Sequence, residues 1–205
     1  MRNSFLLLLF LLGCSTLVQA QYFGARVGVN ATNAKFDFDN ADIDTKGKTN
    51  LMLGIFAGIP LGGDFLTLQP ELNYLNRGYE IEANLGNLAS YKQTVSYVDL
   101  GAILRLNFGV DQPLGFYIGA GPYLSYAVSG KRTDVAGERD VDFDADRIKR
   151  GGIQLTGLGG VTFGTSFKFF AELRYNGTLT NTSDADNVDV KQNFVGISGG
   201  IMVPL

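Results

Sequence analysis

The chain has 205 residues, a formal net charge of −3, one cysteine, no histidine and no tryptophan. Without histidine it lacks the commonest general base and the commonest zinc ligand, and one cysteine excludes an internal disulfide. No basic patch indicates nucleic-acid binding, and no phosphate-binding glycine loop or nucleophile motif is present, so the sequence predicts neither an enzyme nor a cofactor.

The first segment in chain order, residues 1–20, is predicted to be a signal peptide. Arg2 gives it a positive start, a short apolar run follows, and the residues VQA ending at Ala20 suit signal peptidase. The apolar run is too short to cross a bilayer as a helix, which needs ~20 residues. Lipidation at Cys14 is the alternative, because the letters LLGC resemble a lipobox.

The remaining residues, 21–205, are predicted to form one all-β domain with eight strands. In VDLGAILRL, Leu100 and Leu104 share one parity, whereas Asp99 and Arg105 share the other. This period-two pattern is typical of a strand with one oily and one mixed face. Similar patterns occupy residues 23–31, 51–59, 65–79, 98–108, 115–130, 152–164, 168–179 and 193–205.

Segment lengths and connections favour a membrane barrel over a soluble sandwich. The segments run to ~10 residues or more, as bilayer-crossing strands do, whereas ordinary strands average ~5–6. Tight turns alternate with long polar connections, which are predicted at 32–50, 80–93, 131–150 and 181–192. We therefore predict an eight-stranded antiparallel up-and-down transmembrane β-barrel, with the oily parity facing lipid. Pro70 and Pro122 lie mid-strand on the oily face, where we expect bulges to absorb them.

Several phrases resemble the PorT-like family of small outer-membrane β-barrel proteins, namely LQPELNY, GAGPYL and RYNGTLTN. The resemblance extends from Gly24 to about Val203. It implies an eight-stranded barrel in the outer membrane of a diderm bacterium, without a common enzymatic activity. The chain departs from the family at Gly101, where proline is frequent, and at Leu205, where the last residue is usually aromatic.

Six charged residues have the parity that faces the lumen. They are Arg26, Glu71, Asp99, Arg105, Glu172 and Arg174. Three are positive and three negative, and buried charges are tolerated only when they are paired and hydrogen-bonded. We interpret them as a neutral polar plug, with a gated ion path or a binding cleft as the functional alternative.

An acidic alternation precedes the sixth segment and is a weak calcium candidate. Its carboxylates are Asp140, Asp142, Asp144 and Asp146. Oxygen ligands suit calcium, but Ala145 and Gly151 stand where an EF-hand needs glycine and glutamate. We therefore predict no metal, and interpret the alternation as strand ends above the membrane or a solvated loop.

The predicted function is structural, anchoring or interaction, in the outer membrane of a diderm bacterium. The expected partners are outer-membrane lipid and a protein bound through the extracellular loops, with no nucleic acid, and the barrel is expected to be a monomer. The resemblance adds an accessory role in secretion, because some members of that family support it. The alternatives are a small channel for ions or very small solutes, and a secreted soluble β-barrel that binds a ligand.

Overall fold

A computed structural model describes residues 20–38, 41–44, 46–81, 91–134, 137–145, 148–180 and 188–205. This part of the chain contains ten strands and no helix that is long and apolar enough to cross a membrane. The strands are β1 (Tyr22–Phe38), β2 (Ala41–Asp44), β3 (Lys46–Pro60), β4 (Leu66–Ile81), β5 (Tyr91–Phe108), β6 (Leu114–Asp134), β7 (Gly137–Asp140), β8 (Gly151–Phe163), β9 (Lys168–Thr178) and β10 (Val188–Pro204). The predicted signal peptide lies almost entirely outside the described residues, so it stays a prediction.

The eight long strands form a closed antiparallel barrel. Their order is β1, β3, β4, β5, β6, β8, β9 and β10, and β10 pairs back onto β1. The closing ladder runs from Tyr22 opposite Pro204 to Phe38 opposite Val188. The short strands β2 and β7 are hairpin additions to β1 and β6. Because each long strand pairs with its sequence neighbours and the sheet closes, the predicted eight-stranded up-and-down fold is confirmed.

The two parities separate as the sequence predicts. Leu100 is 56% exposed on the outer wall, whereas its neighbour Asp99 is 2% exposed in the lumen. Aromatic rings flank the short turns, where Phe65 and Phe108 meet edge to face with centroids 5.6 Å apart. Such outward apolar walls with aromatic girdles are typical of barrels solvated by lipid. Tyr97, by contrast, is buried inside the barrel.

The strands are longer than the sequence predicts. β1 continues to Phe38, β6 continues to Asp134, and β10 begins at Val188. The prediction that these stretches are loops is therefore wrong at their strand-proximal ends. Outside the bilayer both faces of a strand meet water, so the apolar–polar contrast that reveals a strand disappears while the ladder hydrogen bonds persist.

The two mid-strand prolines leave the barrel register unbroken. Pro70 pairs with Ala102 of β5, and Pro122 pairs with Leu155 of β8. On the opposite side of each proline, two residue pairs drop out of the described ladder, yet the register is the same before and after the gap. The expected bulges at these prolines are therefore wrong, because the missing N–H removes ladder bonds on one side only.

Candidate functional site: the lumen

Four charged side chains meet inside the barrel and form what we call the central charge network, Arg26, Glu71, Glu172 and Arg174. Arg26 lies 2.8 Å from Glu71 and 3.0 Å from Glu172. Arg174 lies 2.9 Å from each of the same two carboxylates. All four side chains are at most 2% exposed. Each arginine therefore bridges both glutamates across the lumen.

Uncharged donors complete the coordination of the two glutamates. The Tyr123 hydroxyl donates to Glu71, and Gln69 Nε2 donates to the same carboxylate at 2.6 Å. The Tyr117 hydroxyl donates to Glu172 at 3.1 Å. Buried charges cost several kcal/mol unless they are paired and hydrogen-bonded, and this shell supplies both kinds of contact.

Aromatic rings fill the space around the network. The Tyr123 ring lies against Gly101, where a Cβ atom would overlap the ring, and the Phe56 ring lies against Gly24 in the same way. The guanidinium of Arg26 stacks 4.5 Å from the Phe56 centroid. Gly101 thus provides the room that Tyr123 needs to reach Glu71.

A second charge pair holds Asp99, with an arginine that sequence reasoning missed. Arg77 makes an ion pair with Asp99, and Ser125 donates a hydrogen bond to the same carboxylate. Arg77 also donates to Gln154 at 3.0 Å. The parity of β4 could have revealed Arg77, but Leu75 occupies the preceding inward position and interrupts the polar pattern.

Arg105 has no carboxylate partner among the described residues. Its Nε donates to Asn107 at 2.6 Å, its Nη1 donates to Gln69 at 3.0 Å, and its guanidinium lies 3.6 Å from the Tyr117 centroid. Among the residues that the structure describes, the buried lumen therefore holds four arginines against three carboxylates once Arg77 is counted. For the described residues the expected neutral balance is therefore wrong by one positive charge, and Arg105 is the arginine without an ion pair there.

Two apolar side chains from the β7–β8 connection cover the end of the lumen away from the short turns. Val141 and Phe143 are buried in a cluster with Val95, Tyr97 and Ala127. The backbone N–H of Val141 donates to the carbonyl of Gly130 at 2.9 Å, which fixes this inward fold. Both side chains therefore pack against inward-facing residues of β5 and β6 at this end of the barrel.

The β7–β8 connection also contains part of the acidic alternation, and its structure tests the interpretation of that part as a strand end. Residues 143–145 form a turn in which Asp142 Oδ1 accepts the N–H groups of Asp144 and Ala145, so a strand through these residues is wrong. Among the described residues no group of three or more potential ligands could hold a metal ion. Asp146 lies outside those residues, so the calcium hypothesis stays untested.

A family model described as an outer membrane protein beta-barrel domain matches residues 19–184, well over half of the chain. The protein belongs to this family. Its strands therefore cross an outer membrane, and the outward apolar parity faces lipid. The finer PorT-like assignment is not part of this match.

Three solved structures are among those similar to this chain, and a search of curated proteins finds no significant match. Neisserial surface protein A is 16% identical, with a TM-score of 0.45, and the alignment covers 88% of this chain and 97% of that one. Outer membrane protein AlkL is 11% identical, with a TM-score of 0.49, covering 91% of each chain. The attachment invasion locus protein Ail of Yersinia pestis is 15% identical, with a TM-score of 0.40, covering 88% and 98%.

Proposed function

We propose that this outer-membrane protein is a non-conducting, non-catalytic barrel that presents its outer strand ends to a protein partner. The central charge network is the observation that carries the first half of the proposal. Two arginines and two glutamates bridge the lumen, with rings packed around them. An eight-stranded barrel encloses a space that side chains can fill, so such a plug leaves little room for a hydrated ion.

The length of the strands supports the second half of the proposal. β6 has 21 residues, and at ~3.3 Å per residue and a tilt of ~45° it extends roughly 50 Å along the membrane normal. The apolar band of such barrels is only ~25 Å tall. The β6–β7 hairpin therefore stands well outside the bilayer, where Lys131 and Glu138 form an exposed ion pair of 2.6 Å.

The direction of presentation follows from the turns. In barrels of this class short turns face the periplasm and longer connections face the exterior. The β6–β7 hairpin is then extracellular. The PorT-like resemblance extends the proposal to an accessory role in protein secretion, with the extracellular hairpins as the contact surface.

Planar-bilayer recording of the purified full-length protein tests the first half. We expect no discrete current steps from the wild type in concentrated KCl. The double variant Glu71→Ser/Arg174→Ser removes one negative and one positive side chain, so the net charge of the lumen is unchanged. We expect it to admit small currents. Reproducible steps from the wild type would contradict the proposal and favour the small-channel alternative.

Site-directed photo-crosslinking in cells tests the second half. A photoreactive residue at Glu138 samples the exposed β6–β7 hairpin, and one at Gln112 samples a short turn that is exposed as well. We expect a discrete protein adduct from position 138 and none of the same mass from position 112. Identical adducts from both positions, or none from position 138, would argue against a partner at the outer strand ends.

A further inference from the structure

A cavity of about 240 Å³ opens at the short-turn end of the barrel. It is bounded by residues of three short turns, by the start of β1 and by the end of β10, and Asp64, Asp111, Ser166 and Pro204 belong to this rim. Because short turns face the periplasm, the cavity is the periplasmic mouth of the lumen. It lies at the opposite end from the Val141–Phe143 cluster.

Arg105 lines this cavity, and it is the buried arginine that has no anionic partner in the described structure. The other three each lie within 3.0 Å of a carboxylate. Within the described part of the chain, Arg105 hydrogen-bonds to uncharged groups through Nε and Nη1 and not through Nη2. Arg105 as a whole is only 5% exposed, and a buried arginine without a counter-ion, as here among the described residues, is costly. An anion entering from the periplasm would remove that cost.

A second cation lines the same cavity. Lys168, the first residue of β9, donates from Nζ to the carbonyl of Val110 and so is held at the mouth. Its ammonium has three donors, so two remain for a ligand. Asn107 and Thr162 add neutral polar groups to the lining. A cavity with a few convergent polar groups and apolar walls is the usual form of a small-ligand site.

The acidic rim restricts the charge that the site accepts. Asp64 and Asp111 are exposed at the entrance, and they repel a ligand with several negative charges. A single carboxylate suits the cavity better than a phosphate dianion, and guanidinium–carboxylate hydrogen bonds are among the strong ones. We propose that the periplasmic mouth binds a small ligand through one carboxylate, held by Arg105 and attracted by Lys168.

The carboxylate has two sources, the C-terminus of a peptide or a free small acid, and NMR titration separates them. The probes are N-acetyl-trialanine, its C-terminal amide, acetate and inorganic phosphate, each added to the ¹⁵N-labelled full-length protein in micelles. We expect saturable shifts at Arg105, Asn107 and Thr162 with the free peptide, and at least tenfold weaker binding of the amide. Acetate that binds as tightly as the peptide identifies a free acid as the ligand class.

Matched variants decide whether Arg105 carries the binding. Arg105→Gln removes the buried cation, and Lys92→Gln removes an exposed cation of the same strand that pairs with Glu80. We expect at least tenfold weaker binding in the first and no change in the second. If Arg105→Gln does not refold, Lys168→Gln should weaken binding at least threefold. Equal affinity for the peptide and its amide, tighter binding of phosphate, or unchanged affinity in the tested cavity variant would overturn the proposal.

Discussion

The substitution Glu71→Gln tests the central charge network most directly. It keeps the shape of the side chain and removes the charge that Arg26 and Arg174 share. The carboxylate also accepts hydrogen bonds from Tyr123 and Gln69. The amide of glutamine brings N–H donors towards side chains that are themselves donors, so at least one guanidinium loses one of its two carboxylate contacts. Glu172 is then the one carboxylate left between the two arginines.

The expected loss follows from the burial of the network. Removing one partner of a buried ion pair costs about 3–5 kcal/mol, because the remaining charge stays away from water. Both arginines are at most 2% exposed in their side chains, so solvent does not compensate. We expect the free energy of unfolding to fall by that amount, measured by urea titration in lipid vesicles and followed by heat-modifiable gel mobility.

Glu80→Gln is the matched control on the same strand. Glu80 pairs with Lys92 at 3.6 Å, and both side chains are about half exposed. Surface pairs of this kind contribute ~0–1 kcal/mol, so the control should unfold close to the wild type. The reasoning fails if the free energies of unfolding of Glu71→Gln and Glu80→Gln differ by less than ~1 kcal/mol. Such a result would mean that loss of the Glu71 charge leaves no uncompensated positive charge in the lumen.

Three further substitutions probe the barrel wall, the lumen and the β7–β8 connection. Leu100→Arg places a charge on the lipid face and should cost ~2–4 kcal/mol in vesicles if the residue lies near the bilayer midplane. Gly101→Leu drives a side chain into the Tyr123 ring and should cost ~1–3 kcal/mol by overpacking, measured by the same urea titration. Phe143→Ala removes the ring on which Arg150 stacks at 4.1 Å, so limited trypsin digestion should cut faster after Arg150 while the barrel retains its gel mobility.

The fold was accessible from sequence because the two faces of each strand meet different solvents. Leu100 outside and Asp99 inside give a contrast that repeats through β5, and the same contrast marks the other strands of the wall. This period-two pattern disappears where a strand leaves the bilayer, because its two faces no longer meet different solvents. Phe38 and Val188 close the outer ladder of β1 and β10, yet the sequence around them predicts a loop, because a strand beyond the bilayer needs no apolar–polar contrast between its two faces.

The candidate site was only partly accessible. Parity places Arg26 and Glu172 in the lumen, but their contact joins positions 146 residues apart and requires the closure of β10 onto β1. Register across a closed sheet is not encoded in any local pattern. Arg77 was missed because inward-facing Leu75 interrupts the polar pattern of β4. The burial of Phe143 depends on a connection that folds back into the barrel.

The central charge network also penalises a slipped strand register, because a slip would move its charges to the lipid face. Lipid is as apolar as a leucine side chain, so burial of leucine does not by itself decide which parity faces outward. A one-residue slip of β4 would bring Glu71 to the lipid and Leu72 to the lumen. Replacing the four network residues with Met and Leu should therefore leave the barrel able to close but remove the penalty on slipped registers. We expect this variant to show more than one folded band in heat-modifiable gel mobility, and a single sharp band would show that turns and girdles fix the register without the charges.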